Sequence, residues 1–229
     1  MNATSIYRNF ILSTALTLSG GGICSAATTA LTYHVAIDTA PLVNDAPDQP
    51  FALLIQLNSG GTPGVTNAVT LSDFSFAGGS GGDAGSVQSM GDVSGDLSTK
   101  VMLDTDNSGF NNFSENFSPG SSLSFLLSTT DNSVDPTVNT PDEFSLQILD
   151  SAGNPIPTLD PSDADSLITL TYAQPLESAT YASDTSRTTT SGASLQFTAP
   201  TISLVPEPAS AAIVLMPLAY LSRRRSRNL

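Results

Sequence analysis

Phe51-Ala52-Leu53-Leu54-Ile55-Gln56-Leu57, running straight into Asn58-Ser59-Gly60-Gly61-Thr62-Pro63-Gly64, decides the fold. Large apolar residues recur at 51, 53, 55 and 57, the period of two that puts one face of a strand into a core. Leu54 makes the segment apolar on its second face as well. The Asn, Ser, Gly and Pro that follow supply positive φ, side-chain-to-backbone hydrogen bonds and fixed φ, so the strand ends in a turn. Upstream, Leu31, Tyr33, Val35 and Ile37 alternate with Thr32, His34 and Ala36 in the same way. Downstream, the pattern predicts strands over 68–76, 99–103, 121–128, 143–149, 167–172, 194–198 and 201–205. Strands of this length, separated by Gly, Asn, Asp and Pro, predict an all-β protein with a single antiparallel β-sandwich, jelly-roll-like. Residues 178–192 are rich in Ser and Thr and lack periodicity, which reads as a mobile loop or linker within the domain.

The two chain ends are written in a different language. Arg8 is the only charge before the apolar run 10–18, and the small residues Cys24-Ser25-Ala26-Ala27 follow. This describes a secretory signal peptide over 1–27, helical in its apolar part and cut after Ala26 or Ala27. Cys24 is the only cysteine. Ile23 precedes it where a lipobox needs a small residue, so cleavage leaves a mature chain with neither disulfide nor thiol chemistry. At the other end Pro206, Glu207 and Pro208 precede an uncharged apolar run, Ala211 to Leu221, and then Arg223, Arg224, Arg225 and Arg227. Pro206 and Pro208 stiffen the entry, and the run reads as a short hydrophobic helix. A spanning helix needs roughly 20 apolar residues. Three prolines and Glu207 interrupt 205–222, so the segment is marginal as a permanent anchor. The arginines hold the C-terminus on the cytoplasmic side.

Residues 205–229 resemble a PEP-CTERM sorting signal. The resemblance implies that Pro206, Glu207 and Pro208 are the motif recognised by an exosortase-like transpeptidase. It implies that 211–221 enters the membrane transiently and that Arg223, Arg224, Arg225 and Arg227 stop transfer. By the same resemblance the chain is exported by the secretion machinery, held briefly at the inner membrane, and released to the cell surface or the extracellular space. The body (residues 28–204) resembles a recurrent β-rich family of PEP-CTERM proteins of unknown function. The resemblance runs through Tyr33-His34-Val35-Ala36-Ile37-Asp38-Thr39, 51–58, 74–79, Gly91-Asp92-Val93-Ser94-Gly95-Asp96-Leu97, Phe110-Asn111-Asn112-Phe113, 123–125 and 144–150. It implies location and fold, and no activity.

Charge separates the ends from the body. Glu207 is the only acid outside residues 28–204, whereas Lys100 and Arg187 are the only basic residues inside them. The body therefore carries about −18 against −14 for the whole chain. Such a surface repels phosphate backbones and anionic lipid, which excludes nucleic acid as a partner. Solubility alone accounts for the acidity; divalent cations and polycations are the other partners it suits.

Several patterns in the body carry chemistry on paper. Asp104, Asp106 and Ser108, followed by Gly109 and by Glu115, match the spacing of a Ca²⁺ loop, in which alternate oxygens surround a hard cation and a bidentate acid closes the shell. Asn111 stands where an EF-hand expects an apolar residue, the flanks read as strand, and a β-turn uses the same letters. Ca²⁺ is thus the one cofactor the spacing admits, beside the reading that there is none. Gly78-Gly79-Ser80-Gly81-Gly82-Asp83 fits one copy of a calcium β-roll repeat, a fold that needs stacked copies. With no helix after it, its half-match to a dinucleotide fingerprint reads as a loop. His34 is the only histidine and lies on the polar phase of a strand. No nucleophile elbow, zinc-protease motif or paired Cys/His spacing occurs. The expectation is a non-catalytic, structural or adhesive protein of the cell surface or extracellular matrix. The alternative is a module binding exopolysaccharide, with a structural Ca²⁺ at Asp104 to Glu115; Tyr33, Tyr172 and Tyr181 are the partial sugar platforms open to a glycosidase. A carboxylate-based glycosidase, which needs only two suitably spaced acids, ranks below both.

Overall fold

The stretch Phe51–Asn58 is a strand in which every second residue is buried, and it lies near the middle of one of two antiparallel sheets. A computed structural model describes residues 30–162 and 164–206. In chain order its strands are β1 (Leu31–Asp38), β2 (Phe51–Asn58), β3 (Ala68–Ser75), β4 (Gln88–Met90), β5 (Val93–Gly95) and β6 (Lys100–Asp104). They continue with β7 (Phe110–Phe117), β8 (Ser122–Thr129), β9 (Glu143–Leu149), β10 (Ile168–Thr171), β11 (Glu177–Thr180) and β12 (Thr201–Leu204). One sheet has the order β12-β1-β8-β3-β6-β5, the other β11-β10-β9-β2-β7-β4. One short helix, α1 (Ala40–Val43), links β1 toward β2.

The core lies between the inward residues of both sheets. Val35, Ile37, Leu71, Phe125 and Leu127 come from the first sheet, and Leu53, Ile55, Phe113, Leu146 and Leu170 from the second, all essentially excluded from water. Each such side chain contributes about 1.5–3 kcal/mol on burial. The period of two in the sequence is therefore the record of this interface. In β3 the left-handed Asp73 (φ 55°) marks a register shift against β8 between Ser72 and Ser75. Beyond this bulge Phe74 packs on Phe125 and Phe76 on Phe117.

Two expectations change. Residues 194–198 are not a strand, although Leu195 and Phe197 are buried. Phe197 instead exchanges two hydrogen bonds with Ser183, donating to its Oγ and accepting from its N–H. The segment 178–192 carries β11 across its start, and the rest runs as irregular chain tied down by hydrogen bonds. Strand β7 is new: its inward positions are Asn111, Phe113, Glu115 and Phe117, so two polar residues break the apolar alternation. The signal segment 1–27 and the apolar run 211–221 lie outside the described residues. Among the described residues no helix is long and apolar enough to cross a membrane.

Candidate functional site

The β6–β7 connection holds Asp104, Asp106 and Ser108, and Glu115 sits elsewhere. Asp104 Oδ1 accepts the Asp106 N–H (2.8 Å), and Ser108 Oγ donates to the Phe110 carbonyl (2.8 Å). Five residues of strand then separate Phe110 from Glu115, about 17 Å at the usual rise. The structure gathers the first three at one turn and leaves Glu115 far along β7. Among the described residues no group of three or more His, Cys, Asp or Glu side chains is placed to hold a metal ion. What the turn does instead is lock two hairpins together. Asn111, fully buried, accepts the Asp92 N–H (2.7 Å) and donates to the carbonyls of Leu57 (3.1 Å) and Ser108 (3.0 Å). Asn107 donates to Asp92 Oδ2 (2.7 Å).

Glu115 is buried beneath the β5–β6 turn, where its Oε2 accepts the Leu97 N–H (2.6 Å) and its Oε1 has no partner. Burial raises its pKa; the Leu97 bond opposes the rise, and the negative charges of Asp96 and Asp83 add to it. Asp83 belongs to the glycine-rich segment, where it accepts the Gly85 N–H (3.2 Å). That segment is a loop packed too closely for side chains: a Cβ on Gly79 would meet the Ser118 carbonyl at 2.1 Å, and one on Gly81 the Phe76 ring at 2.2 Å. Ser80, Gly81, Gly82 and Asp83 line a cleft of about 350 Å³ with Pro50, Asn116, Phe117 and Ser118. Asp83 is the only acid among these lining residues, and Phe117 is buried rather than offered to a ligand.

A second acid pair lies where α1 leads into β2. Asp48 is buried and accepts bonds from the Ser191 N–H (3.0 Å), Ser191 Oγ (2.7 Å) and Thr189 Oγ1, which clasps residues 189–191 to the body. Burial alone would raise its pKa, but these bonds outweigh it and hold it low. Its neighbour Asp45 is pushed up to about 6, first by burial and then by hydrogen bonding to and repulsion from Asp48. Asp45 Oδ2 is buried without a partner. Nearby in sequence to this clasp, Arg187 grips Asp165 with two nitrogens, at 2.6 and 2.9 Å.

The outer face of the second sheet carries Glu143 on β9, opposite Asn58, and Glu177 on β11, but across β2, β7 and β4 it is chemically plain. From β2 it presents Ala52, Leu54, Gln56 and Asn58, and from β7 Phe110, Asn112, Ser114 and Asn116. Gln88 and Met90 of β4 extend it. Neither acid nor base stands on these three strand faces. Sequence reasoning missed this face because β7 was not recognised; once it is, the alternation of Asn and Ser opposite Phe113 and Phe117 is the signal. Of the tyrosines offered as platforms, Tyr172 is wholly buried and bonds Thr129, while Tyr33 and Tyr181 are half-buried. His34 is exposed on β1. Pro206 is exposed just past β12, where the Val205 N–H still donates to the Thr32 carbonyl (2.7 Å). Glu207, Pro208, Arg223, Arg224, Arg225 and Arg227 lie outside the described residues.

The geometry defines a class, an all-β body of two antiparallel sheets with acidic turns and, across β2, β7 and β4, an outer face without ionisable side chains. Comparison with family models, with curated proteins and with solved structures returns no match to the chain.

Proposed function

We propose that the chain is an exported cell-surface or extracellular-matrix protein, sorted by an exosortase-like system through Pro206, Glu207 and Pro208, whose body is a non-catalytic structural or adhesive jelly roll. The observation that carries the sorting reading is the end of the fold: β12 is an edge strand, its pairing finishes at Val205, and the exposed Pro206 follows immediately. Pro206, the first residue of the motif, is therefore accessible without opening the sandwich. The jelly-roll reading rests on strand order. The run β1-β8-β3-β6 opposite β2-β7-β4 is that of a wound double hairpin, with β5 folded back on β6 in place of an eighth strand in the second sheet. In this reading the shifted acids have structural parts. Burial raises Asp45 and Glu115, the kind of shift that marks catalytic acids, yet Asp45 is matched to Asp48 and Glu115 to the Leu97 backbone. Neither lines the cleft beside Gly81.

Mass spectrometry of the protein recovered outside the cell tests the sorting reading. The expected product lacks both residues 1–27 and the arginine tail 223–229. Recovery of mature protein with Arg223 to Arg227 intact would overturn it.

A further inference from the structure

We propose that the outer face of β2, β7 and β4 is a docking surface for an electroneutral polysaccharide chain. This deepens the adhesive reading of the body by naming what it holds, and it rests on that reading. The first observation is charge. The body has 20 acids and two basic residues, yet the outward positions of these three strands include no ionisable side chain. Along these three strands a charged polymer finds no counter-ion, whereas an uncharged one meets unpaired charge only at the border, where Glu143 of β9 stands opposite Asn58.

The second observation is unused hydrogen-bonding capacity. Among the described residues the side-chain amides of Asn112 and Asn116 make no hydrogen bond to another protein group. Gln56 spends only its Oε1, on Ser145 Oγ (3.4 Å). Each amide carries two donors and an acceptor, the complement of neighbouring hydroxyls on a sugar ring. Cross-strand register aligns Gln56 with Asn112 and Ala52 with Asn116, so the amides follow the strands as a row rather than as a scatter.

The third is an apolar end to that row. Phe110 is 42% exposed and Met90 57% exposed. Met90 is paired with Asn112, which makes it the diagonal neighbour of Phe110 on the same face. One ring and one thioether give a sugar's apolar face something to lie on, and the amides beyond them fix its hydroxyls.

Affinity electrophoresis of the purified full chain tests this, with dextran, hydroxyethyl cellulose and galactomannan cast separately into native gels as neutral probes, and alginate and chitosan as charged ones. At least one neutral polymer should retard the protein, and about 0.5 M salt should leave that retardation unchanged because no charge is involved. The double variant Asn112→Ala/Asn116→Ala should bind about tenfold more weakly or less, and Phe110→Ala should weaken binding separately. Ser124→Ala on the other sheet should change nothing. The proposal is overturned if no neutral polymer retards the chain, if the amide and Phe110 variants bind as the parent does, or if chitosan alone binds and salt abolishes it. None of these outcomes bears on processing of the C-terminal segment, so failure here leaves the sorting reading standing.

Discussion

Asp45 and Asp48 face each other in the folded chain with opposite shifts, and between them they make stability depend on pH. Folding lifts Asp45 to about 6, above the ordinary carboxylate value of about 3.9. Between those values the native state keeps a proton that the unfolded chain has released. Asp45's contribution is therefore complete below about pH 4 and is lost as pH rises through 6, on the order of 2–3 kcal/mol in all. Glu115, also raised, acts in the same direction. Asp48 is held low, so its contribution is lost only as pH falls below the ordinary range. Urea midpoints should fall from pH 5 to pH 8, and Asp45→Asn should flatten most of that slope; an equal slope in the variant would assign the effect elsewhere. Asp142 gives a second test. It is buried and accepts the Gly60 N–H (2.8 Å), Asn67 Nδ2 (3.1 Å) and Thr105 Oγ1 (3.2 Å). Asp142→Ala leaves three donors stranded where water does not reach, and should cost about 3 kcal/mol or more by chemical denaturation.

At the scale of elements, strands were legible wherever apolar residues alone occupied the inward phase. Strands β1, β2, β8 and β9 announce themselves in this way, and their observed bounds depart from the pattern by a residue or two at most. Strand β7 did not, because Asn111 and Glu115 take inward positions for reasons that only tertiary structure supplies. Asn111 holds the β4–β5 and β6–β7 turns together, and Glu115 receives the Leu97 N–H. Glu115 also made the sequence look like a calcium loop, with Asp104, Asp106 and Ser108. The Ca²⁺ spacing needs residues 104–115 to curl round one ion, and an extended β7 carries its closing acid away from the turn. Calorimetric titration with millimolar Ca²⁺ should therefore give no heat from Asp104, Asp106, Ser108 and Glu115. The hairpin β5–β6 offers a sharper test of local structure. Gly95 sits at φ 101°, and a Cβ there would lie 1.8 Å from the Lys100 carbonyl oxygen. Gly95→Ala combines a forbidden dihedral with a backbone clash, so it should cost about 3 kcal/mol or more, against about 1 kcal/mol for Gly153→Ala, where φ is also positive but space is open.

For the whole molecule, charge and sheet edges point the same way. A two-sheet body has four edges, here β12, β5, β11 and β4, and an exposed edge invites pairing with another chain. All four are short: β4 and β5 have three residues each, β11 and β12 four. Pro200 precedes β12 and caps extension of its ladder on that side. The body's net charge of about −18 adds mutual repulsion between copies, strongest at low salt. The stripped body, without residues 1–27 and 205–229, should therefore be monomeric at low ionic strength. Screening with salt removes the repulsion but lengthens no edge, so the monomer should persist there as well. Light scattering across a salt series separates the two terms. A monomer throughout means that the edges suffice, and association appearing only at high salt means that repulsion was holding an open edge apart. A dimer already present at low salt would contradict both, and would place a self-complementary surface on a molecule whose described edges and charge argue for contact with a partner of different chemistry.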